Sequence, residues 1–254
     1  PAANGKSIET PYPVVWAYTP YRRVFLRNGA PALSGGLGGW DVRNLTDYGY
    51  VVAVADTRGR GASFGARRGM QSAGEGQDGY DINEWLAAQS WSNGKVGMAG
   101  CSYVGGTQDN IAQFAPPHLK AIFPGATVFN RYDFVSRGGF TAQYHTRPEQ
   151  AGMDQGDGVL PVDEDADGTM LKAALKEHDG NTIMPETWRP IPYRDDWSPL
   201  LNSRFWEESS PSQRRNEIER SSIGMYRWAG WQDEFSADQF VAHANFRNPR
   251  KVLM

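Results

Sequence analysis

The sequence predicts an α/β fold, a mainly parallel sheet carrying a helical cap insertion. Up to residue 124, apolar runs of strand length alternate with segments of helical period. Strand, helix, strand, helix, strand in that order implies right-handed crossovers between parallel strands. The run Lys95-Val-Gly-Met-Ala-Gly-Cys-Ser102 passes directly into a helical pattern through a glycine-flanked serine, the order of a nucleophile elbow. From Arg131 to about Ser222 no clear buried strand occurs, and so long a stretch reads as an insertion lying over the sheet.

Taken in order, Pro13-Val-Val-Trp-Ala-Tyr18 is a β-prone apolar run bounded by prolines and reads as a buried strand. Just past its end stands Tyr21, where open α/β sheets place ligand-binding groups, although a rim aromatic fits the same position. Ala30 to Asp41 is glycine-rich and loose, and residues 42–48 carry a short helical period. Tyr50 to Asp56 is a nearly continuous apolar run, suited to a parallel strand covered on both faces. In Thr57-Arg-Gly-Arg-Gly-Ala-Ser63 the arginines alternate with glycines, but no Gly-Lys-Ser/Thr or Gly-x-Gly-x-x-Gly follows, which argues against a phosphate site. Arg58 or Arg60 is expected to pair with a carboxylate and hold the loop. Asp78 to Gln89 places Ile82, Trp85 and Leu86 on one helical face.

Ser102 is the candidate nucleophile, because a hydroxyl reacts only when a tight turn lifts it clear and a base takes its proton. Gly100, Gly105 and Gly106 give the room that such a turn and the following helix need. Position 104 is Val, so the pattern departs from Gly-x-Ser-x-Gly, and a serine between glycines can also be only a turn. Cys101, the single cysteine, excludes an intrachain disulfide and reads as a small buried filler. Residues 104–114 are helical in period, Pro116-Pro117 stops them, and Leu119 to Pro124 is a further strand.

Within the insertion, Thr169 to His178 and Arg204 to Glu219 have helical patterns. Trp188, Tyr193, Trp197 and Trp206 are candidates to line a pocket or to close the cap's own core. Asp163-Glu-Asp-Ala-Asp-Gly168 begins like an EF-hand loop, but its twelfth position is Ala174, where a bidentate Glu is needed. An acidic lead into the helix near Thr169 accounts for the same residues. Ile223 to Gly230 returns to the sheet and ends in Trp231-Gln-Asp-Glu-Phe235, where an α/β-hydrolase fold keeps its acid. Asp233 is the candidate acid and Glu234 its neighbouring alternative; residues 235–246 have helical spacing.

With 254 residues, a net charge of −3 and 39% hydrophobic residues, the chain suits one sizeable α/β core. A pI near 5.9 gives no basic footprint for nucleic acid, and no apolar run is long enough to span a membrane. No cofactor or metal site is expected. Partners are expected to be small esters, amides or short peptides; oligomeric state and compartment stay open. The chain opens on Pro1 without an initiator Met or signal peptide and stops at Lys251-Val-Leu-Met254, so both ends are expected to be cuts.

Thr19-Pro-Tyr21, Asp56-Thr-Arg-Gly-Arg-Gly-Ala-Ser63, Trp91 to Gln108, Pro116 to Pro124 and Gly230-Trp-Gln-Asp233 together resemble the X-prolyl dipeptidyl-peptidase and cocaine-esterase (CocE/NonD) group of serine hydrolases. The resemblance implies an α/β-hydrolase fold and a Ser-Asp-His triad in which Ser102 attacks an acyl carbonyl and Asp233 orients the base. It also implies an oxyanion hole made of the Tyr21 hydroxyl and the backbone N–H of Tyr103, two donors aimed at developing negative charge. By this resemblance the family's histidine segment would follow the strand that opens at Lys251, and its C-terminal jelly-roll domain is expected to lie outside these 254 residues. The histidines present, His118, His145, His178 and His243, are poor substitutes, so the polypeptide is expected to be inactive alone.

The expected layout is residues 1–130 as the first part of the core, 131–222 as the cap and 223–254 as the return to the core. Arg22 and Arg23 beside Tyr21 tilt the reading toward esters or acidic acyl groups. The competing function is a non-catalytic hydrolase-like binding module.

Overall fold

The computed structural model describes residues 11–27, 30–33, 42–141, 159–249 and 251–253. The chain enters on β1 (Tyr12–Thr19), makes an antiparallel hairpin of β2 (Val24–Arg27) and β3 (Ala30–Leu33), and passes through α1 (Val42–Asp47) to β4 (Val51–Asp56). Next come α2 (Ala73–Ala87), β5 (Ser92–Cys101), α3 (Tyr103–Ala112) and β6 (Leu119–Gly125). The following segment holds α4 (Arg131–Val135), a two-residue hairpin of β7 (Ser136–Arg137) and β8 (Phe140–Thr141), and α5 (Thr169–Glu177). It continues with α6 (Met184–Trp188), α7 (Phe205–Glu208) and α8 (Arg215–Arg220). The chain then returns through β9 (Gly224–Arg227), α9 (Ser236–Asn245) and β10 (Lys251–Leu253).

Six strands form one parallel sheet in the order β10-β9-β6-β5-β1-β4. From β4 onward every step to the next strand of the sheet runs in the same direction. Right-handed crossovers therefore put α2, α3 and α9 on one face, while the opposite step from β1 to β4 puts α1 on the other. Alternation along β1 follows: Val14, Trp16 and Tyr18 join the main core with Met98, Ile111, Ile122, Met225 and Phe246. Val15 and Ala17 face the other way, with Leu45, Val52, Val54 and Phe123. Because all six strands are parallel, their carboxyl ends lie together, and Tyr21, Asp56, Ser102, Thr127 and Asp233 all follow or end a strand at that edge.

The predicted strands at 13–18, 50–56, 95–101 and 119–124 are present, and the return strand and β10 pair as parallel neighbours. Several expectations need correction. β4 has both faces packed, Val51, Ala53 and Ala55 on the main core and Val52 and Val54 on the other cluster, but as an edge strand with only β1 beside it these residues are only partly buried. α2 starts at Ala73, ahead of the expected Asp78, because the Ser72 hydroxyl accepts the Glu75 N–H and caps it. The pattern at 204–219 is not one helix. Ser209-Ser210-Pro211 divides it, since Pro211 has no N–H to continue α7 and instead opens a 3₁₀ turn, Pro211–Arg214. The loose stretch from Ala30 begins as β3; residues 34–41, His145 and both chain ends lie outside the described residues.

Between 131 and 222 no described strand joins the six-stranded sheet. Trp188 and Trp206 are buried with Val128, Phe134, Val135, Met184, Ile191 and Phe205 in a separate cluster, whereas Tyr193 and Trp197 are exposed. In the acidic run, Asp165 accepts the Met170 and Leu171 N–H groups and Asp167 accepts that of Thr169, so these carboxylates cap α5. No cluster of three metal-ligating side chains occurs among the described residues.

One buried ion pair ties the layers together. Arg227 at the end of β9 makes two parallel bonds, 2.8 and 2.9 Å, to Asp109 on α3, donates to Gln239 on α9, and lies over the Phe246 ring. Both charged side chains are fully enclosed. Removing one partner leaves the other charge stranded in low dielectric, a loss of about 3–5 kcal/mol. Asp109→Ala is therefore expected to lower the unfolding free energy by that amount in urea titrations, and a loss below about 1 kcal/mol would show the pair to be dispensable.

Candidate active site

Ser102 sits between β5 and α3 with φ 58° and ψ −128°, a backbone conformation that a non-glycine residue adopts only under constraint. The constraint comes from both sides. The Ser102 N–H donates to the Gly125 carbonyl at the end of β6 (3.0 Å), and the Ser102 carbonyl accepts the Gly105 and Gly106 N–H groups of the first helical turn. Gly105 has no side chain for a direct reason: a Cβ there would stand 2.6 Å from the Gly125 carbonyl oxygen. The serine hydroxyl is thus presented, half-buried, at the carboxyl edge of the sheet. As the first residue of α3, Tyr103 has an N–H with no acceptor inside the helix.

Tyr21 approaches from β1. Its hydroxyl lies 3.4 Å from the Ser102 hydroxyl, and its ring meets the Tyr103 ring edge-on at 6.4 Å between centroids. The loop that brings it there is held by Asp56. That buried carboxylate accepts the backbone N–H of Arg23 and of Ala62 and pairs with the Arg23 guanidinium, while its carbonyl accepts the Ser63 hydroxyl. Gly61 makes room for it, as a Cβ would overlap the Asp56 carboxyl. Arg23 also donates to the Leu160 and Pro161 carbonyls, so it serves as a brace, which removes it from the substrate-recognition role that its place beside Tyr21 suggested. Arg58 pairs with Asp78, as the glycine-arginine loop led us to expect.

Asp233 is half-buried in the turn after β9, where it accepts the Phe235 N–H (2.8 Å). Burial first, and the Asp233 charge second, push the Cys101 thiol upward, so Cys101 stays neutral and the acid stands on its side of the elbow. Cys101 is half-buried, more open than a core filler. Ser102, Tyr21 and Tyr103 line a cleft of about 170 Å³ with Met70, Val128, Phe134 and Phe235, and Arg131 and Glu234 add one charge of each sign. The tryptophans of the insertion do not line it. The described histidines belong elsewhere: His118 pairs with Glu84 at the amino end of β6, His178 bonds the Ser63 carbonyl, and His243 is half-buried on α9.

Beneath the cleft is a polar layer that the sequence reading missed. The Tyr103 hydroxyl donates to the Glu75 carboxyl at 2.8 Å, and the Gln71 N–H reaches both groups, at 3.3 and 3.2 Å. The Gln71 amide donates to the Tyr103 carbonyl (3.0 Å) and accepts from Arg131. Gln71 has φ 51°, and Gly106 leaves space for its side chain. Ser72-Ala-Gly-Glu75 has the Ser-x-x-Glu spacing of a capping box, the local signal that points to Glu75. Here the Glu75 carboxyl reaches past the cap to Gln71.

A model of the X-Pro dipeptidyl-peptidase (S15 family) matches residues 3–254. The chain belongs to that family. It is 38% identical to the cocaine esterase of a Rhodococcus species over 236 residues, 81% of this chain and 38% of that protein. A Mycobacterium bovis protein named as a candidate serine esterase is 28% identical over 227 residues, 75% of this chain and 36% of that one. Among solved structures, a CocE/NonD family hydrolase of Staphylococcus aureus superposes with a TM-score of 0.72 at 22% identity, covering 97% of this chain and 41% of that one. The S15 chain described here thus spans well under half the length of these relatives, and its fold is that of the CocE/NonD hydrolase.

Burial pushes the Glu75 carboxyl from 4.5 up to about 7. A raised value means that the native state holds the proton more tightly than the unfolded chain does. The associated stability is present in full below pH 4.5 and is lost as pH rises through about 7. Thermal melts between pH 5 and 8 are expected to show this decline, and Glu75→Gln is expected to flatten it; an unaltered slope would contradict the assignment.

Proposed function

We propose that this chain is the catalytic core of a serine hydrolase that cleaves an ester or amide bond through an acyl-enzyme. The observation that carries the reading is the Tyr21 hydroxyl 3.4 Å from the Ser102 hydroxyl, which itself stands on a positive-φ turn at a helix start. Family membership and the relatives' names, a dipeptidyl-peptidase and esterases, support the reaction class.

In the proposed sequence Ser102 Oγ attacks the acyl carbonyl carbon and its proton passes to a histidine base oriented by Asp233. The carbonyl oxygen gathers negative charge between the Tyr21 hydroxyl and the Tyr103 N–H, donors fixed before the reaction begins. Collapse breaks the ester or amide bond, and the base returns the proton to the departing alcohol or amine. Water, deprotonated by the same base, then attacks the acyl-serine and frees the acid and Ser102. Met70, Val128, Phe134 and Phe235 favour a mostly apolar acyl group of modest size.

In this scheme residues 1–130 and 223–254 form the core, 131–222 cap it, and the base is a histidine other than the described His118, His178 and His243. A polypeptide extended to the length of the relatives is expected to hydrolyse a p-nitrophenyl acyl ester. Ser102→Ala should abolish turnover, and Tyr21→Phe should lower kcat by about 10²–10³. An extended polypeptide that binds the ester without turning it over would instead support a non-catalytic binding module.

A further inference from the structure

Glu75 lies fully inside the protein on the first turn of α2, a place where packing alone is best served by an apolar side chain. One carboxyl oxygen holds the Tyr103 hydroxyl and the Gln71 N–H, and the other has no hydrogen-bond partner among the described residues. The charged and titratable groups around it come from each packed element: Tyr103 from α3, Tyr18 from β1, Arg67 and Arg58 from the loop before α2, and Asp78 on α2 itself. Burial dominates, Arg67 favours the charged form, and Asp78 opposes it. The Tyr103 ring end and its carbonyl are held separately, the first by Glu75 and the second by the Gln71 amide. The peptide between Ser102 and Tyr103 is held at its oxygen by the Gly105 and Gly106 N–H groups, and the grip on the Tyr103 ring and on its own carbonyl fixes the residue that carries the N–H, leaving that peptide little freedom to turn.

We propose that Glu75 is a positioning residue of the site: by gripping the Tyr103 hydroxyl it fixes the direction of the Tyr103 backbone N–H. The proposal rests on the hydrolase reading for its catalytic meaning, since that N–H is the second oxyanion donor there. Glu75 touches no reacting atom and works through Tyr103. An amide that is tilted but still present should cost less than the ~10²–10³ lost with a whole donor. The carboxyl's titration near pH 7 makes the grip pH-dependent, because the ionised carboxylate is a stronger acceptor for the phenol than the neutral acid.

Two measurements test this. In the extended polypeptide, Glu75→Ala is expected to lower kcat at least about tenfold but by less than the ~10²–10³ of a whole donor's loss, with KM little changed. Glu75→Gln should restore most of the rate, and Glu75→Ala with Tyr103→Phe should be no slower than the slower single variant. In the 254-residue chain labelled with ¹⁵N-tyrosine, the Tyr103 amide resonance should titrate near pH 7, lose that titration in Glu75→Gln, and shift in Glu75→Ala. A Tyr103 amide indifferent to Glu75 substitution and to pH overturns the proposal, as does a kcat loss that multiplies with that of Tyr103→Phe. If Ser102→Ala leaves turnover intact or no turnover exists, the hydrolase reading fails, and the amide resonance still decides whether Glu75 governs Tyr103.

Discussion

The backbone of one residue governs this molecule. Ser102 holds φ 58° and ψ −128° where most residues would relax, a departure worth about 1–3 kcal/mol. It persists because β5 and α3 cannot meet in any other way once Gly105 is packed on the Gly125 carbonyl and the Ser102 N–H is bound to that same oxygen. The turn then decides where everything else at the carboxyl edge must stand. Tyr21 arrives across the adjacent strand, Tyr103 opens the helix with an N–H that has no acceptor inside it, and Asp233 stands in the turn after β9, two strands away.

Around this turn the protein replaces apolar packing with buried polar groups, each fixing a loop that the sheet alone would leave free. Asp56 gathers the Arg23 and Ala62 N–H groups and thereby sets the Tyr21 loop. Asp238 accepts the Phe129 and Asn130 N–H groups and sets the chain leaving β6; burial raises its carboxyl above the ordinary range. Arg227 and Asp109 lock β9 to α3, and Glu75 with Gln71 underlies Tyr103. Isolated charges in such places are destabilising, so each is paired or hydrogen-bonded, and the placement of the loops follows from those bonds.

Much of this was legible in the residues. Long apolar runs with β-branched residues showed β1, β4, β5 and β6, and the glycine-flanked Ser102 at a strand-to-helix junction showed the elbow, because those signals are local. Position along the sheet was not legible: the run at 50–56 looks like a central strand, yet β4 has a neighbour on one side only. The helix expected over 204–219 broke at Pro211, a stop signal that was present in the sequence and outweighed by its period. Arg23 looked like a substrate ligand beside Tyr21 and proved to be a brace, since its partners Asp56, Leu160 and Pro161 are distant in sequence. Gln71, Glu75 and Arg131 were invisible as a group for the same reason. Only folding brings α2, α3 and α4 together, and a capping-box spacing hints at one member of the three.

The central claim is that Ser102 Oγ, the Tyr21 hydroxyl and the Tyr103 N–H converge on one tetrahedral centre. A crystal structure of the extended polypeptide treated with an alkyl phosphonate ester tests it most directly. The account predicts phosphorus bonded to Ser102 Oγ, with one phosphonyl oxygen within about 2.7–3.1 Å of both Tyr21 Oη and the Tyr103 nitrogen. Phosphorus bonded elsewhere, or an adduct on Ser102 whose phosphonyl oxygen points away from both donors, would contradict it.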